Sequence, residues 1–590
     1  MDAREALRRK FGFEEFRPGQ AEAVEAALAD RDALVVMPTG AGKSLCYQLP
    51  ALMRDDLTLV VSPLVSLMQD QVEALGRRVP GRVKLVNAQR AGAANADAVA
   101  RAVRGEVRLL YVAPERFALP RFGEAIAYAR VGLFVVDEAH CVSQWGHDFR
   151  PDYFALADAA RTLGARATIA LTATATPRVA DDIARRLALR DAVRVTTGFD
   201  RPNLSFSVVP CRSPRDKERR LAAALSEPGA LPAIVYAGTR GASEELARLL
   251  TGALGEEVLT YHAGIPRSVR ALTQERFMSG EARVIVATNA FGMGIDKPDV
   301  RTVCHASVPG SLEAYYQEAG RAGRDGQAAR CLLFAEQRDK GLHVFFIQRS
   351  QIEDGAFERV AEQLRWAGLD GRYDLPGAEL AGFAGAKADA DAVRAIIGHL
   401  ARAGVVRPIP APADRVAGHV VADCDRTALA RCRGSARDAE RARWNQYRAI
   451  WEYVERFQCR REALLAHFGV RSDAISVAGC CDVCDGVAPE KGTAHGSPAA
   501  GEGLPANGDL DQAILGVVLS ARPPVGRTRA VEILRGGRSK VISQYCYDAL
   551  TGYGAFAHLR SDDVLGRVDE LLAAGTLRST GGRFPKLRAA

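Results

Sequence analysis

Between residues 20 and 335, short apolar, β-branched runs alternate with helix-length stretches, and this alternation constrains the chain more than any other feature. ALVVMP (33–38), LTLVVSP (57–63), RLLYVAP (108–114), GLFVVDE (132–138) and TIALTAT (168–174) form one set. AIVYAG (233–238), VLTYHAG (258–264), RVIVATN (283–289) and RTVCHAS (301–307) form a second. Apolar runs separated by helices predict βαβ units around a parallel sheet that is buried on both faces. The sets divide near Gly198–Asn203, so two similar α/β domains are expected, 1–197 and 198–345. In such sheets ligands gather at the carboxyl ends of strands, and chemistry is expected in the loops after these runs.

The pattern changes after residue 345. Phe357, Val360, Ala361 and Leu364 repeat at helical spacing, as do Val393, Ile396, Ile397 and Leu400 before Gly404 and a short extended segment. This predicts a helical or winged-helix insertion over 346–435, with a cysteine-bearing segment following at 436–486. Residues 487–508, rich in Gly, Pro and Ala without apolar period, are expected to be a linker. The stretch 509–590 carries helical faces at Ile514, Val517, Val518 and at Val564, Leu565, Val568, Leu571, Leu572. It closes on two short strands around Gly581-Gly582, again the signature of a winged helix. With 48% hydrophobic and 25% charged residues, each part can bury a core, which excludes a disordered tail, a collagen and a disulfide miniprotein. The absence of a signal-like start and of an 18-residue apolar run predicts a soluble, intracellular protein.

Thr39-Gly40-Ala41-Gly42-Lys43-Ser44 follows the first run directly and precedes an apolar-periodic helix. Glycines there let consecutive N–H groups converge on phosphates, with Lys43 reaching the terminal phosphates and the Ser44 hydroxyl on Mg²⁺. Met37 stands where the strict pattern has Gly, and a plain glycine turn would read similarly. Asp137 and Glu138, at the end of GLFVV, supply one carboxylate for the metal and another for an attacking water. Arg321 and Arg324, in GRAGRD (320–325), offer cations from the second domain to the transferred phosphoryl group. Hydrolysis drawing on both domains couples to their closure, which is how a motor works.

Together these motifs resemble the RecQ family of superfamily 2 DNA helicases. The resemblance covers about 1–340 closely and 436–590 more loosely, and it implies two RecA-like motor domains, a zinc-binding helical subdomain and a C-terminal winged helix. FGFEEFRPGQ (11–20) is similar to the family's adenine-recognition motif, which implies that Gln20 reads the base while Phe13 and Arg17 flank it. YHAG (261–264), ATNAFGMGIDKPDVR (287–301), with Asp296 implied at the nucleotide, and YYQEAGRAGRDG (315–326) match second-domain motifs. CVSQWGHDFRPDY (141–153) resembles the family's aromatic-rich loop, implying that Gln144, Trp145, His147, Phe149 and Arg150 meet single-stranded DNA by stacking and phosphate contact.

The last feature is a cluster of four cysteines among the chain's 12. Cys459, Cys480, Cys481 and Cys484 resemble the family's zinc subdomain, although Cys480 abuts Cys481 where the pattern has wider spacing at Ala478. Adjacent ligands require a tight turn at Gly479; otherwise His467 or Cys432 completes the site, or the site has lost its metal. The eight isolated cysteines are expected to be buried small hydrophobes. The overall charge, 79 Lys and Arg against 71 Asp and Glu, is uninformative, but 509–590 alone holds 12 basic and 8 acidic residues. Arg527, Arg529, Arg535, Arg538 and Lys540 crowd the stretch expected to form the second helix there as a phosphate-contact surface, with Arg527 and Arg529 foremost. The expected function is an ATP-, Mg²⁺- and Zn²⁺-dependent helicase acting on single-stranded and forked DNA in the cytoplasm near the nucleoid, with 3′→5′ polarity implied by the resemblance alone. An RNA helicase and an ATP-gated clamp or annealing protein remain open alternatives.

Overall fold

The computed structural model describes residues 2–589 apart from 88–89, 144–152, 154–155, 293–296, 354, 367–368, 386–387, 410, 412–413, 471–478, 487–506, 538, 540, 543–544, 546, 551, 557–558, 560 and 581–584. The chain forms two units, Met1–Ala488 and Pro489–Ala590.

The first unit contains two parallel sheets. Lobe 1 is built on β1 (Ala33–Val36), β2 (Leu57–Val61), β3 (Val83–Val86), β4 (Leu109–Val112), β5 (Val131–Val136), β6 (Ala167–Thr172) and β7 (Val193–Thr196), in the order β3-β4-β2-β5-β6-β1-β7. Lobe 2 uses β8 (Leu204–Pro210), β9 (Ala233–Tyr236), β10 (Val258–Tyr261), β11 (Val284–Ala287), β12 (Thr302–His305) and β13 (Ala329–Ala335), ordered β10-β11-β9-β12-β13-β8. All nine expected runs are strands. Four more were not expected, for physical reasons. β7 (VRVT) is an edge strand with exposed Arg194, and β8 (LSFSVVP) alternates buried and half-buried residues at the other sheet's edge. β3 is only four residues long and includes Lys84, whereas β13 (ARCLLFA) is apolar but lacks β-branched residues.

An open sheet edge invites pairing with other chains. At β8 that edge is met by the cysteine segment: Phe206 N donates to Cys480 O (3.2 Å) and Asp482 N donates to Phe206 O (3.1 Å).

The insertion runs helix Ala356–Trp366, β14 (Arg372–Pro376), helices Gly377–Ala384 and Ala390–Arg402, then the hairpin β15 (Val406–Ile409) and β16 (Arg415–Val420). Its antiparallel sheet has the order β14-β16-β15. All eight apolar positions read from helical spacing are buried. One boundary needs correction. The junction expected at 435/436 lies inside a single 30-residue helix, Arg426–Glu455, which gives Ala428 and Cys432 to the insertion's core and Ile450, Trp451 and Tyr453 to the motor's core. The insertion and the cysteine segment therefore share an element.

In the second unit, helices Asn507–Ser520, Arg527–Leu534 and Ser561–Ala573 pack over a core including Ile514, Val517, Ile533, Val564 and Val568, with the antiparallel pair β17 (Leu577–Ser579) and β18 (Leu587–Ala589). The expected linker 487–508 lies outside the described residues up to 506, and residues 507–508 already belong to the first helix. The Gly581-Gly582 tip is likewise outside them. Among the described residues, no helix is long and apolar enough to cross a membrane.

Candidate active site and cysteine cluster

The phosphate loop leaves β1 and enters the helix Leu45–Met53. Gly40 (φ 84°) and Gly42 (φ 83°) take left-handed backbone conformations that a side chain would strain, and a Cβ on Gly42 would lie 2.6 Å from Gln20 Nε2. Lys43 Nζ donates to Met37 O at 3.1 Å, so the residue that breaks the strict motif still holds the lysine through its backbone. Enclosure by protein pulls the Lys43 ammonium below its usual pKa; Glu138 and Asp137 oppose this, and Arg324 adds to it.

Asp137 and Glu138 stand at the end of β5, which is separated from β1 by β6 alone. Ser62 Oγ donates to Asp137 Oδ2 (3.3 Å), the Glu138 N–H to Asp137 Oδ1 (3.0 Å), and Tyr153 OH to Asp137 O (3.0 Å). Burial, reinforced by Glu138 and opposed by Lys43, pushes the Asp137 carboxyl up to about 7. Glu138 itself is held at φ 48°, a strained conformation for a non-glycine residue and one that clusters at functional sites. His140 Nδ1 lies 2.9 Å from Thr172 Oγ1 and 3.3 Å from Glu138 Oε2, which joins the acidic pair to the LTATAT segment (171–176).

The three residues read as adenine contacts are differently placed. Gln20 is buried, with its Oε1 accepting from Arg17 N (2.9 Å) and its Nε2 donating to Ala41 O and Gly42 O (both 3.1 Å). Arg17 donates to Gly40 O at 2.8 Å. Both brace the phosphate loop, and Gln20 must exchange partners before it can read a base. Phe13 is half exposed and available as a flat apolar surface.

The two arginines also part company. Arg324 reaches the phosphate loop from lobe 2, its Cγ 3.6 Å from where a Gly40 Cβ would stand. Arg321 is buried within lobe 2, beside Gly292 and Tyr236. Between them sits Arg201, which no motif singled out. Its guanidinium donates to Thr39 O (3.4 Å) in the phosphate loop and to Gly320 O (3.3 Å), Ala322 O (3.1 Å) and Gly323 O (2.9 Å) in the arginine loop. Asp296, Gln144, Trp145, His147, Phe149 and Arg150 lie outside the described residues.

The four cysteine sulfurs lie within 4.8 Å of one another, with Cys459 and Cys480 at 3.7 Å. A tetrahedral ion with Zn–S bonds of about 2.3 Å sets its sulfurs about 3.8 Å apart, so the set fits one Zn²⁺. The adjacent pair converges, and Gly479 just before it adopts φ 80°, its N–H tied to Asp485 Oδ1 at 2.8 Å. The other candidate ligands are elsewhere: His467 Nε2 pairs with Glu313 Oε1 (2.8 Å), and Cys432 is buried in the insertion. Of the eight isolated cysteines, six are buried, Cys424 is half-buried, and Cys546 lies outside the described residues. In the second unit, Arg527 pairs with Asp569 (2.8 Å), while Arg529 pairs with Glu532 and donates to Ser539 Oγ (2.8 Å). Arg535 bonds Leu559 O, and Arg538 and Lys540 lie outside the described residues.

Three family models match the chain: DEAD/DEAH box helicase over residues 17–183, helicase conserved C-terminal domain over 216–326, and RQC domain over 509–590. Among curated proteins, the chain is 42% identical over 356 residues to the ATP-dependent DNA helicase RecQ of Bacillus subtilis (strain 168), covering 60% of this chain and 59% of that protein. It is 42% identical over 363 residues to RecQ of Haemophilus influenzae, covering 60% and 58%. It is 39% identical over 355 residues to the probable ATP-dependent DNA helicase RecS of Bacillus subtilis, covering 60% of this chain and 70% of that protein. The matches to the two RecQ proteins thus span less than two thirds of their length. With both motor models, the RQC model and this level of identity in one polypeptide, the chain belongs to the RecQ family of ATP-dependent DNA helicases.

Proposed function

We propose that this protein hydrolyses ATP between its two lobes and uses the cycle to move along single-stranded DNA and unwind forked duplexes, with the 3′→5′ polarity of its family, in repair or recombination within the cytoplasm. The observation that carries this reading is the convergence of Lys43, Asp137 and Glu138 from lobe 1 with Arg324 from lobe 2 on one phosphate loop. Lys43 and the loop N–H groups bind the β- and γ-phosphates. Ser44 and Asp137 would hold Mg²⁺, which when bound neutralises phosphate charge and orients the leaving group. Glu138 takes the proton of the attacking water, and Arg324 stabilises charge on the transferred phosphoryl group. His140 and Thr172 link Glu138 to the LTATAT segment (171–176), a short path by which bound strand can alter the hydrolytic carboxylate.

We further assign one structural Zn²⁺ to Cys459, Cys480, Cys481 and Cys484, and DNA contact to Trp145 and its neighbours and to the basic second unit. Lys43→Ala should lower hydrolysis at least about 10²–10³-fold while leaving DNA binding intact. Retained turnover rejects the site. Forked duplexes with a 3′ or a 5′ tail, run beside RNA counterparts, test the rest. Unwinding of the 3′-tailed DNA alone supports the reading; RNA-selective stimulation, or annealing without unwinding, replaces it. Cys484→Ser should release the metal from a chain that otherwise binds one zinc per molecule.

A further inference from the structure

Residues 197–203 connect the last strand of lobe 1 to the first strand of lobe 2, and this connection is held, largely through its backbone, by the cysteine segment. Arg461, from the helix Arg460–His467 of the cysteine segment, is buried. Its NH1 donates to Asp200 Oδ1 and to Arg201 O (both 2.8 Å), and its NH2 donates to Leu204 O (2.6 Å) and Pro202 O (3.4 Å). Its remaining arm, Nε, points at Cys480 Sγ (3.3 Å). One side chain thus spans from a candidate metal ligand to Asp200, Arg201 and Pro202 of the interlobe connection and to Leu204 where β8 begins. Phe468 of the same segment adds a stacked contact on Phe199, with ring centroids 4.6 Å apart and planes 17° from parallel.

The connection in turn grips the hydrolytic machinery through Arg201. Three of its four carbonyl acceptors lie in the loop that carries Arg321 and Arg324, and the fourth, the longest at 3.4 Å, is Thr39 of the phosphate loop. Asn203 Nδ2 doubles the grip on the same loop, donating to Gly323 O and Gln327 O (both 2.8 Å). A Cβ on Gly323 would stand 2.5 Å from Asn203 Nδ2, so the glycine between the two arginines is required for this approach. A planar guanidinium serves two elements at once in a way that a lysine ammonium cannot. Arg201 is therefore fixed to lobe 2 and touches lobe 1 by a single long bond, the geometry of a latch that breaks on one side when the lobes part.

We propose that Arg201 is a positioning residue for ATP hydrolysis, setting the Arg324 loop against the phosphate loop, and that Arg461 relays the state of the four-cysteine unit to it. This rests on the hydrolytic role proposed above for the interlobe site. Neither residue contacts the acidic pair, so their influence is on register: displacement of catalytic groups by about 1 Å costs on the order of 10²-fold in rate. The thiolate sulfur of Cys480, fixed when a metal is bound, gives Arg461 a charged partner that orients its other arm toward the connection.

The test compares the full chain with Arg201→Gln, Arg201→Lys, Arg461→Gln, Arg461→Lys and the Arg201→Gln/Arg461→Gln double variant. Five quantities are measured: kcat and KM for single-strand-stimulated ATP hydrolysis, affinity for a fluorescent non-hydrolysable ATP analogue, zinc per chain, and melting temperature. Arg201→Gln should lower kcat about 10- to 100-fold, with analogue affinity within threefold of wild type and zinc content unchanged; Arg201→Lys should recover only part of that loss. Arg461→Gln should lower kcat in the same sense. The double variant should be no slower than the slower single one, because both act on one chain of contacts. Unchanged kcat in Arg201→Gln overturns the proposal, as does a kcat loss matched by equal losses of analogue affinity and melting temperature. Independent, multiplying losses in the double variant overturn the relay, and where Arg461→Gln fails to fold, Arg461→Lys decides the same point. A wild-type chain with no ATPase activity would reject the hydrolytic reading itself, which is a different result from an active wild type indifferent to Arg201.

Discussion

The insertion and the second unit are both small helical modules that carry antiparallel strands, and they are charged differently. Residues 346–435 hold 12 basic and 12 acidic residues; residues 509–590 hold 12 basic and 8 acidic. Five of the insertion's cations pair with its own acids: Arg349 with Asp389, Arg365 with Asp423, Arg394 with Asp391, Arg415 with Asp374 and Arg433 with Glu358. Its outer strand β15 contains Pro408, which cannot donate to a further strand. In the second unit, by contrast, Arg578 of β17 lies directly opposite Arg588 of β18, and both are exposed. Like charges facing across a strand pair destabilise it, and an anion such as a DNA phosphate relieves the repulsion. The insertion thus shares a helix with the motor, whereas the second unit presents facing exposed arginines that suit the nucleic-acid contact proposed for it. Fold alone does not assign the task; the placement of acids does.

The sharpest break of this comparison lies in how each module's stability reaches the motor. Leu400→Ala and Ile533→Ala each remove a fully buried side chain from its module's core, at a cost of about 2–5 kcal/mol. Because the helix Arg426–Glu455 belongs to both the insertion and the motor, Leu400→Ala should lower the calorimetric transition that also abolishes ATP hydrolysis. Ile533→Ala should lower a separate transition and leave DNA-independent hydrolysis unchanged. One common transition for both variants would show that the second unit is as integral to the motor as the insertion.

A smaller effect is expected on DNA binding. Arg578→Glu with Arg588→Glu should weaken single-strand binding and flatten its dependence on salt by about one counterion per lost phosphate contact. Arg394→Glu, on the insertion's third helix, should change neither. Equal losses from both modules in a salt titration would remove the distinction drawn from charge.

How much of this was legible in the chain depended on the range of the interactions involved. The phosphate loop, the Asp137-Glu138 pair and the arginine loop are each defined within a few residues at strand ends, so spacing and neighbours sufficed to find them. The cysteine cluster was readable as a set, but its adjacent pair needed the left-handed turn at Gly479 to make sense. The helix Arg426–Glu455 was cut in two because its character changes from insertion core to motor core along its length, which no single periodicity conveys. The contacts of Arg201 and Arg461 left no local trace. Arg201 meets Thr39 across 162 residues, and Arg461 meets Arg201 across 260, contacts that exist only once both sheets and the cysteine segment are assembled. Gln20 was found by resemblance, yet its bonds to the phosphate loop could only come from the folded chain.

The finest distinction concerns Arg527, which was read from sequence as a phosphate contact and is instead paired with Asp569. Both side chains are about half exposed, and such surface pairs contribute about 0–1 kcal/mol. A pair this weak leaves Arg527 open to the proposed DNA contact; it sets a small competing equilibrium, in which the carboxylate must be displaced before a phosphate is met. Asp569→Asn should therefore tighten DNA binding at low salt, by no more than about fivefold given that energy, and the gain should shrink as salt screens both partners. Arg527→Ala should weaken binding by a similar factor and abolish the gain in the double variant. Fluorescence anisotropy with a labelled single strand at two salt concentrations reads all three. If Asp569→Asn weakens binding instead, the acid is orienting Arg527 toward the strand rather than competing for it, and the pair belongs to the DNA surface as a unit.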